Sequence, residues 1–145
     1  MKNFLPLLLL SALTFLSCKK SDSDNIPSSL EGTWKMIQVR DNATNTSINK
    51  PSSIQKDVII TFHPTNSSIG ILTGKTPTNE IEQNSYSLGA NQSISIPVLS
   101  MTKVAETSWG AEFVDNIRDA EQYSFHAGGK LNIRTTKKTL TFKKQ

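Results

Sequence analysis

Short runs in which apolar residues recur at every second position constrain this chain more than any other feature. Val58, Ile60 and Phe62 form one such run; Tyr123 with Phe125, Leu131 with Ile133, and Leu140 with Phe142 form three more. Successive side chains point to opposite faces of a strand, so each run carries one apolar face that must be buried. Turn residues separate the runs. Gly128-Gly129 and Thr136-Lys137-Lys138 make the last three a meander.

The rest of the chain reads the same way. A first strand covers 32–40, a polar loop 41–53, and a second strand 58–62, ended by Pro64. A third covers 69–73, closed by Gly74. Strands over 85–88 and 93–96 flank a Gly89-Ala90-Asn91 hairpin turn, and Pro97 confines the next few residues to an edge or an exit. One segment changes period. Trp109, Phe113 and Ile117 recur every fourth residue and Val114 widens their stripe, which predicts an amphipathic helix over 108–120. Thr107 or Ser108 is available as its N-cap, and Gly110 weakens it slightly. The fold class is therefore α+β and mainly β. About eight short strands form a small, mostly antiparallel β-barrel or curled sheet, with one helix inserted before the last three and covering one opening. The expected core is Trp34, Phe62, Tyr86, Trp109, Phe113, Ile117, Tyr123, Leu131 and Phe142.

The amino-terminal segment has a different logic. Lys2 precedes a largely apolar run over 5–16, and a single cysteine, Cys18, follows Ser17. That three-part layout is a secretory signal over 1–17, too short for a spanning helix. The Phe15-Leu16-Ser17-Cys18 ending resembles the lipobox of bacterial lipoproteins, which implies acyl chains on Cys18. Two or more chains anchor stably where one does not. The expected partner is thus a membrane, reached through lipidated Cys18. Residues 18–29 read as a flexible tether, with a reach of at most about 40 Å. Its charges resemble sorting signals of Gram-negative lipoproteins, which implies the cell envelope and its outer membrane.

Residues 30–145 fit one domain. The formal charge of +4 includes Lys137, Lys138, Lys143 and Lys144, which are expected to solubilise a terminal hairpin and blunt an edge strand. No dense basic stripe with interleaved aromatics appears, so nucleic acid is not an expected partner.

At larger scale, Leu30-Glu31-Gly32-Thr33-Trp34, the strand ending in Phe62, and Gly74-x-x-x-Thr78-Asn79 resemble the META domain of bacterial heat-shock-inducible and secreted lipoproteins. Tyr86 and Gly89 match its tyrosine strand and glycine turn. The stretch from Met101 to Glu106, with Trp109, Glu112, Phe113 and Ile117, matches its threonine-containing lead into a short helix. Thr78 replaces a frequent cysteine, so any thiol role of relatives is absent. The resemblance implies a barrel-like fold in an envelope lipoprotein and brings no settled activity.

Convergent chemistry is sparse. His63 and His126 have no second ligand at metal spacing, so no metal or other cofactor is expected. No serine lies in a Gly-x-Ser-x-Gly turn. Glu106 and Glu112 could form an acid/base pair, but carboxylates at a helix start more often answer its dipole. Gly32-x-Trp34 is similar to the first strand of lipocalin-like barrels, although barrels this small are normally filled by side chains. The expectation is a non-enzymatic protein that recognises another, unidentified macromolecule through its surface and its 41–53 and 65–68 loops. The alternative is a lipocalin-like carrier, which would require an internal apolar cavity above about 300 Å³.

Overall fold

A computed structural model describes residues 25–145; the signal segment, Cys18 and most of the tether lie outside them. The elements are β1 (Gly32–Asp41), β2 (Ser47–Asn49), β3 (Ile59–Pro64), β4 (Ile69–Lys75), β5 (Glu80–Gly89), β6 (Ser93–Ser95), α1 (Ser108–Val114), β7 (Ala120–His126), β8 (Lys130–Thr135) and β9 (Lys138–Lys144). Strands β1, β3, β4, β5, β6, β7, β8 and β9 pair antiparallel in that order, and β9 pairs back to β1. The result is a closed eight-stranded barrel, with β2 added beside the second half of β1. Closure leaves the eight barrel strands without the long free edges of an open sheet.

The alternation read from the sequence becomes the barrel's inside. Trp34 and Met36 of β1 point inward, and a register shift between Met36 and Gln38 turns Val39 inward as well. Such a bulge resets the in–out phase and bends the strand. Ile60, Phe62, Leu72, Leu131, Ile133, Leu140 and Phe142 complete an interior in which each is fully buried. Trp109, Phe113 and Ile117 join the same core, and the rings of Phe113 and Phe142 meet edge to face, 6.4 Å apart. Among the described residues, no helix is long and apolar enough to cross a membrane.

Several expectations change. The 41–53 loop contains β2, whose three residues are all exposed and so carry no apolar signature. Strand β5 starts at Glu80, five residues before the predicted start, and the 89–91 turn is a 3₁₀ turn at Ala90–Gln92. The helix stops at Val114 instead of residue 120. Asn116 donates its side-chain N–H to the Glu112 carbonyl at 2.9 Å and its backbone N–H to the Phe113 carbonyl at 3.2 Å. The last turn is thereby capped, and a 3₁₀ turn at Ile117–Asp119 still delivers Ile117 to the core.

Tyr123 belongs on the inner face opposite Ile133 but is only half-buried, unlike the other expected core residues. Its neighbour β6 has three residues and meets β7 through a single registered pair, Ser93 with Gln122, so the wall is thin there. The carboxyl-terminal lysines also need a new reading. Strand β9 is paired on both sides, to β8 and to β1, and has no edge for them to guard.

The barrel has two distinct ends. One holds the start of β1, the β7–β8 turn and the end of β9, and residues 25–31 approach it; this is the tether end. The other holds the β4–β5 turn and the chain through α1 into β7; this is the helix end.

Candidate functional site

The densest polar cluster lies at the helix end and centres on Glu106. Gly74 lets β4 press against β3, since a Cβ there would overlap the Ile59 carbonyl. The chain then turns through Thr76-Pro77-Thr78-Asn79, and this turn meets the residues just before α1. The Glu106 carboxylate accepts hydrogen bonds from the Thr76 hydroxyl, from Thr78 Oγ1 at 2.9 Å, from Asn79 Nδ2 at 2.9 Å and from the Thr107 backbone N–H at 2.9 Å. Asn79 Oδ1 accepts from the Val104 N–H at 2.7 Å and from Thr102 Oγ1 at 3.1 Å. Thr107 caps α1, accepting from the Gly110 N–H at 3.1 Å.

Burial by itself would raise the Glu106 pKa. The hydrogen bonds from Thr76, Asn79, Thr107 and Thr78 outweigh it and hold the carboxyl below its usual range. Gly110 has a purpose beyond helix propensity: a Cβ there would overlap the Glu106 carboxyl, so only glycine lets that side chain fold over the first turn. Glu106 thus acts as a staple between the β4–β5 turn and the helix start. Every contact named here is with a donor of the protein itself, and none leaves it paired with Glu112 as acid and base.

At the tether end Trp34 is fully buried. Its Nε1 donates to the Leu30 carbonyl at 2.7 Å, Phe125 stacks on it at 6.2 Å, and Lys144 Nζ sits 4.7 Å above its ring. The same ammonium donates to the Glu31 carbonyl. The Gly32-x-Trp34 motif closes this end of the barrel as a packed floor.

The remaining sequence-predicted groups do not converge. His63 bonds Thr73 Oγ1 at 3.2 Å, and His126 contacts Ser124 Oγ and Asn132 Nδ2, both at the tether-end halves of their strands. Glu106 and Glu112 stand at the opposite end. Among the described residues, no three of His, Cys, Asp and Glu gather as metal ligands would. The two expected recognition loops also part company. Asp41 Oδ1 orders the first by accepting from the Ala43 and Thr44 N–H groups, at the helix end. Asn66 Oδ1 orders the second by accepting from the Ser68 and Ile69 N–H groups, at the tether end.

A groove of about 360 Å³ lies on the outer flank of the staple, lined by Lys56, Asp57, Lys75, Pro77 and Glu80 among others. It is large enough for a small ligand, but it is external and carries both signs of charge. A shallower groove of about 220 Å³ between Ile69, Ile71, Tyr86 and Pro97 is mostly apolar and also faces outward. The sequence indicated Thr78, Asn79 and Glu106 separately. It gave no sign that Thr76 would join them, because these partners lie up to 30 residues apart.

The chain is similar to an NMR structure of a protein from Burkholderia xenovorans, with a TM-score of 0.57 and 16% identity, covering 100% of this chain and 99% of that one. At that identity the likeness shows the shared fold alone. No known family profile and no curated protein matches the sequence.

Proposed function

We propose that this chain is an envelope lipoprotein, held at a membrane by acyl chains on Cys18, whose META-like barrel acts without catalysis by surface recognition of another macromolecule in envelope stress. The observation that carries this reading is the filled interior. Trp34, Met36, Phe62, Phe113 and Phe142 meet inside the barrel, each at most 1% exposed. An eight-stranded barrel packed in this way has its side chains where a carrier would hold its cargo. The grooves described above open on the outside, which favours recognition by the surface over enclosure of a ligand.

The anchor is tested by replacing Cys18 with alanine. Fatty-acid labelling should disappear and the protein should leave the membrane fraction; unchanged labelling would refute the anchor. Recognition is tested by crosslinking in intact cells. Crosslinks to one partner from residues flanking the outer grooves would support it, whereas a small molecule co-purifying inside the barrel would favour a lipocalin-like carrier.

A further inference from the structure

Four strands of the wall, β7, β8, β9 and β1, pair side by side, and the outward residues near the tether end are His126, Lys130, Lys143 and Lys35, each directly opposite the next. The inward residues beside them are Phe125, Leu131, Phe142 and Trp34 or Met36, so the lysines must point away from the core. Lys130 and Lys143 are exposed and Lys35 is half-exposed. The next outward row is Ser124, Asn132, Thr141 and Gln38, and the one beyond contains Arg134 and Arg40. No aspartate or glutamate occupies any of these positions. Of the exposed acids, Glu80 and Glu82 stand on β5, across the barrel, Glu121 lies at the helix-end start of β7, and Glu31 precedes β1.

Like charges directly opposite one another on neighbouring strands destabilise a sheet. Lysine is also a poor strand former. The edge-guarding role that would excuse such residues is absent, because every strand that carries them is paired on both sides at these positions. Among the described residues, none of the three lysines has a carboxylate within ion-pair distance; the ion pairs found there use Lys50 and Lys138. Among the described residues, the row is a cationic surface that no carboxylate answers.

Its position says which counter-charge could answer it. Asn25 accepts a 2.7 Å hydrogen bond from the Gly129 N–H, so the tether arrives one residue from Lys130. The seven residues 18–24 can extend at most about 25 Å. We propose that the Lys35–Lys143–Lys130 row is a docking surface for the anionic lipid headgroups of the membrane to which the chain is tethered. This deepens the anchored-lipoprotein reading and rests on it for the choice of membrane. Each basic residue near an anionic leaflet strengthens binding roughly fivefold, so three give about a hundredfold.

The test uses the processed chain isolated with its native amino terminus, placed on neutral phosphatidylcholine vesicles or on vesicles that also contain phosphatidylglycerol. Lysines are footprinted with a water-soluble acylating reagent. On anionic vesicles Lys35, Lys130 and Lys143 should label at least about fivefold more slowly than on neutral ones. Lys103, on the loop at the helix end, should not change, and high salt should restore the rates. The K35Q/K130Q/K143Q variant should lose about a hundredfold in affinity for anionic vesicles when its anchor is removed. Equal labelling on both vesicles, or slowing at Lys103 instead, would overturn the proposal. Retention on neutral vesicles reports the anchor separately. A chain lost from neutral vesicles but held by anionic ones refutes the anchor and keeps the row; a chain held by both with unprotected lysines does the reverse.

Discussion

The two ends of the barrel are closed by different physics. At the helix end, a carboxylate gathers donors from two segments, and Asp41 at the same end is held by the Thr44 N–H and the Lys138 ammonium at a pKa of about 2. At the tether end, a buried indole is covered by a ring, an alkyl-ammonium and the backbone of residues 30–31. The contacts named there involve no carboxylate. The helix end depends on the charge state of acids, and the tether end depends on packing and on a cation over a ring. One end should therefore respond to acidification while the other does not.

The largest expected effect tests whether the helix is part of the barrel or a lid upon it. Phe113→Ala removes a fully buried ring that meets Phe142 in the core. It should cost about 3–5 kcal/mol in denaturant unfolding, the usual range for emptying such a site. A loss below about 1 kcal/mol would mean that the helix end opens independently of the barrel.

Next comes the staple. Glu106→Gln keeps the shape but exchanges charge-assisted hydrogen bonds for neutral ones and turns one acceptor into a donor facing Thr76 and Asn79. Given the range for bonds to charged groups against neutral ones, it should cost about 1–2 kcal/mol near neutral pH. Because the folded-state pKa of Glu106 is lowered, its stabilisation is complete above the ordinary carboxylate range and fades as pH falls through the lower folded value. Asp41 behaves alike down to about 2. Melting temperatures should fall on acidification below about pH 5 in the native chain, and less steeply in the variant. Parallel pH profiles for the two would remove Glu106 as a source of acid sensitivity.

The contrast also explains what could be read from residue order. Core positions such as Phe62, Leu131 and Phe142 follow from two-residue alternation, a local signal. The Thr107 cap and the Gly128-Gly129 turn, at φ of 77° and 68°, are local too. Closure is not: β1 meets β9 from the far end of the chain, and nothing in either strand announces a partner. The polar staple is invisible for the same reason, since Thr76 and Glu106 are ordinary residues until the fold brings them together. The helix is shorter than its apolar stripe suggests, because the stripe continues through Ile117 while the termination lies in one hydrogen-bonding residue, Asn116. Lysines near a carboxyl terminus suggest an edge; only the pairing of β9 to β1 reveals that no edge exists there.

The smallest expected effect sharpens the comparison at the tether end. Lys144→Met preserves the alkyl stem over Trp34 and removes only the ammonium, with its contacts to the ring and to the Glu31 carbonyl. A cation over an aromatic face contributes about 0.5–1 kcal/mol at a partly exposed site. A loss of about that size is expected in equilibrium unfolding, constant across the acidic range in which the Glu106 contribution disappears. Combined with Glu106→Gln, the two losses should add within about 0.5 kcal/mol, as they do for sites that share no partners. A coupling well beyond that would mean that the barrel transmits the state of one end to the other, and the two closures would have to be treated as a single cooperative device.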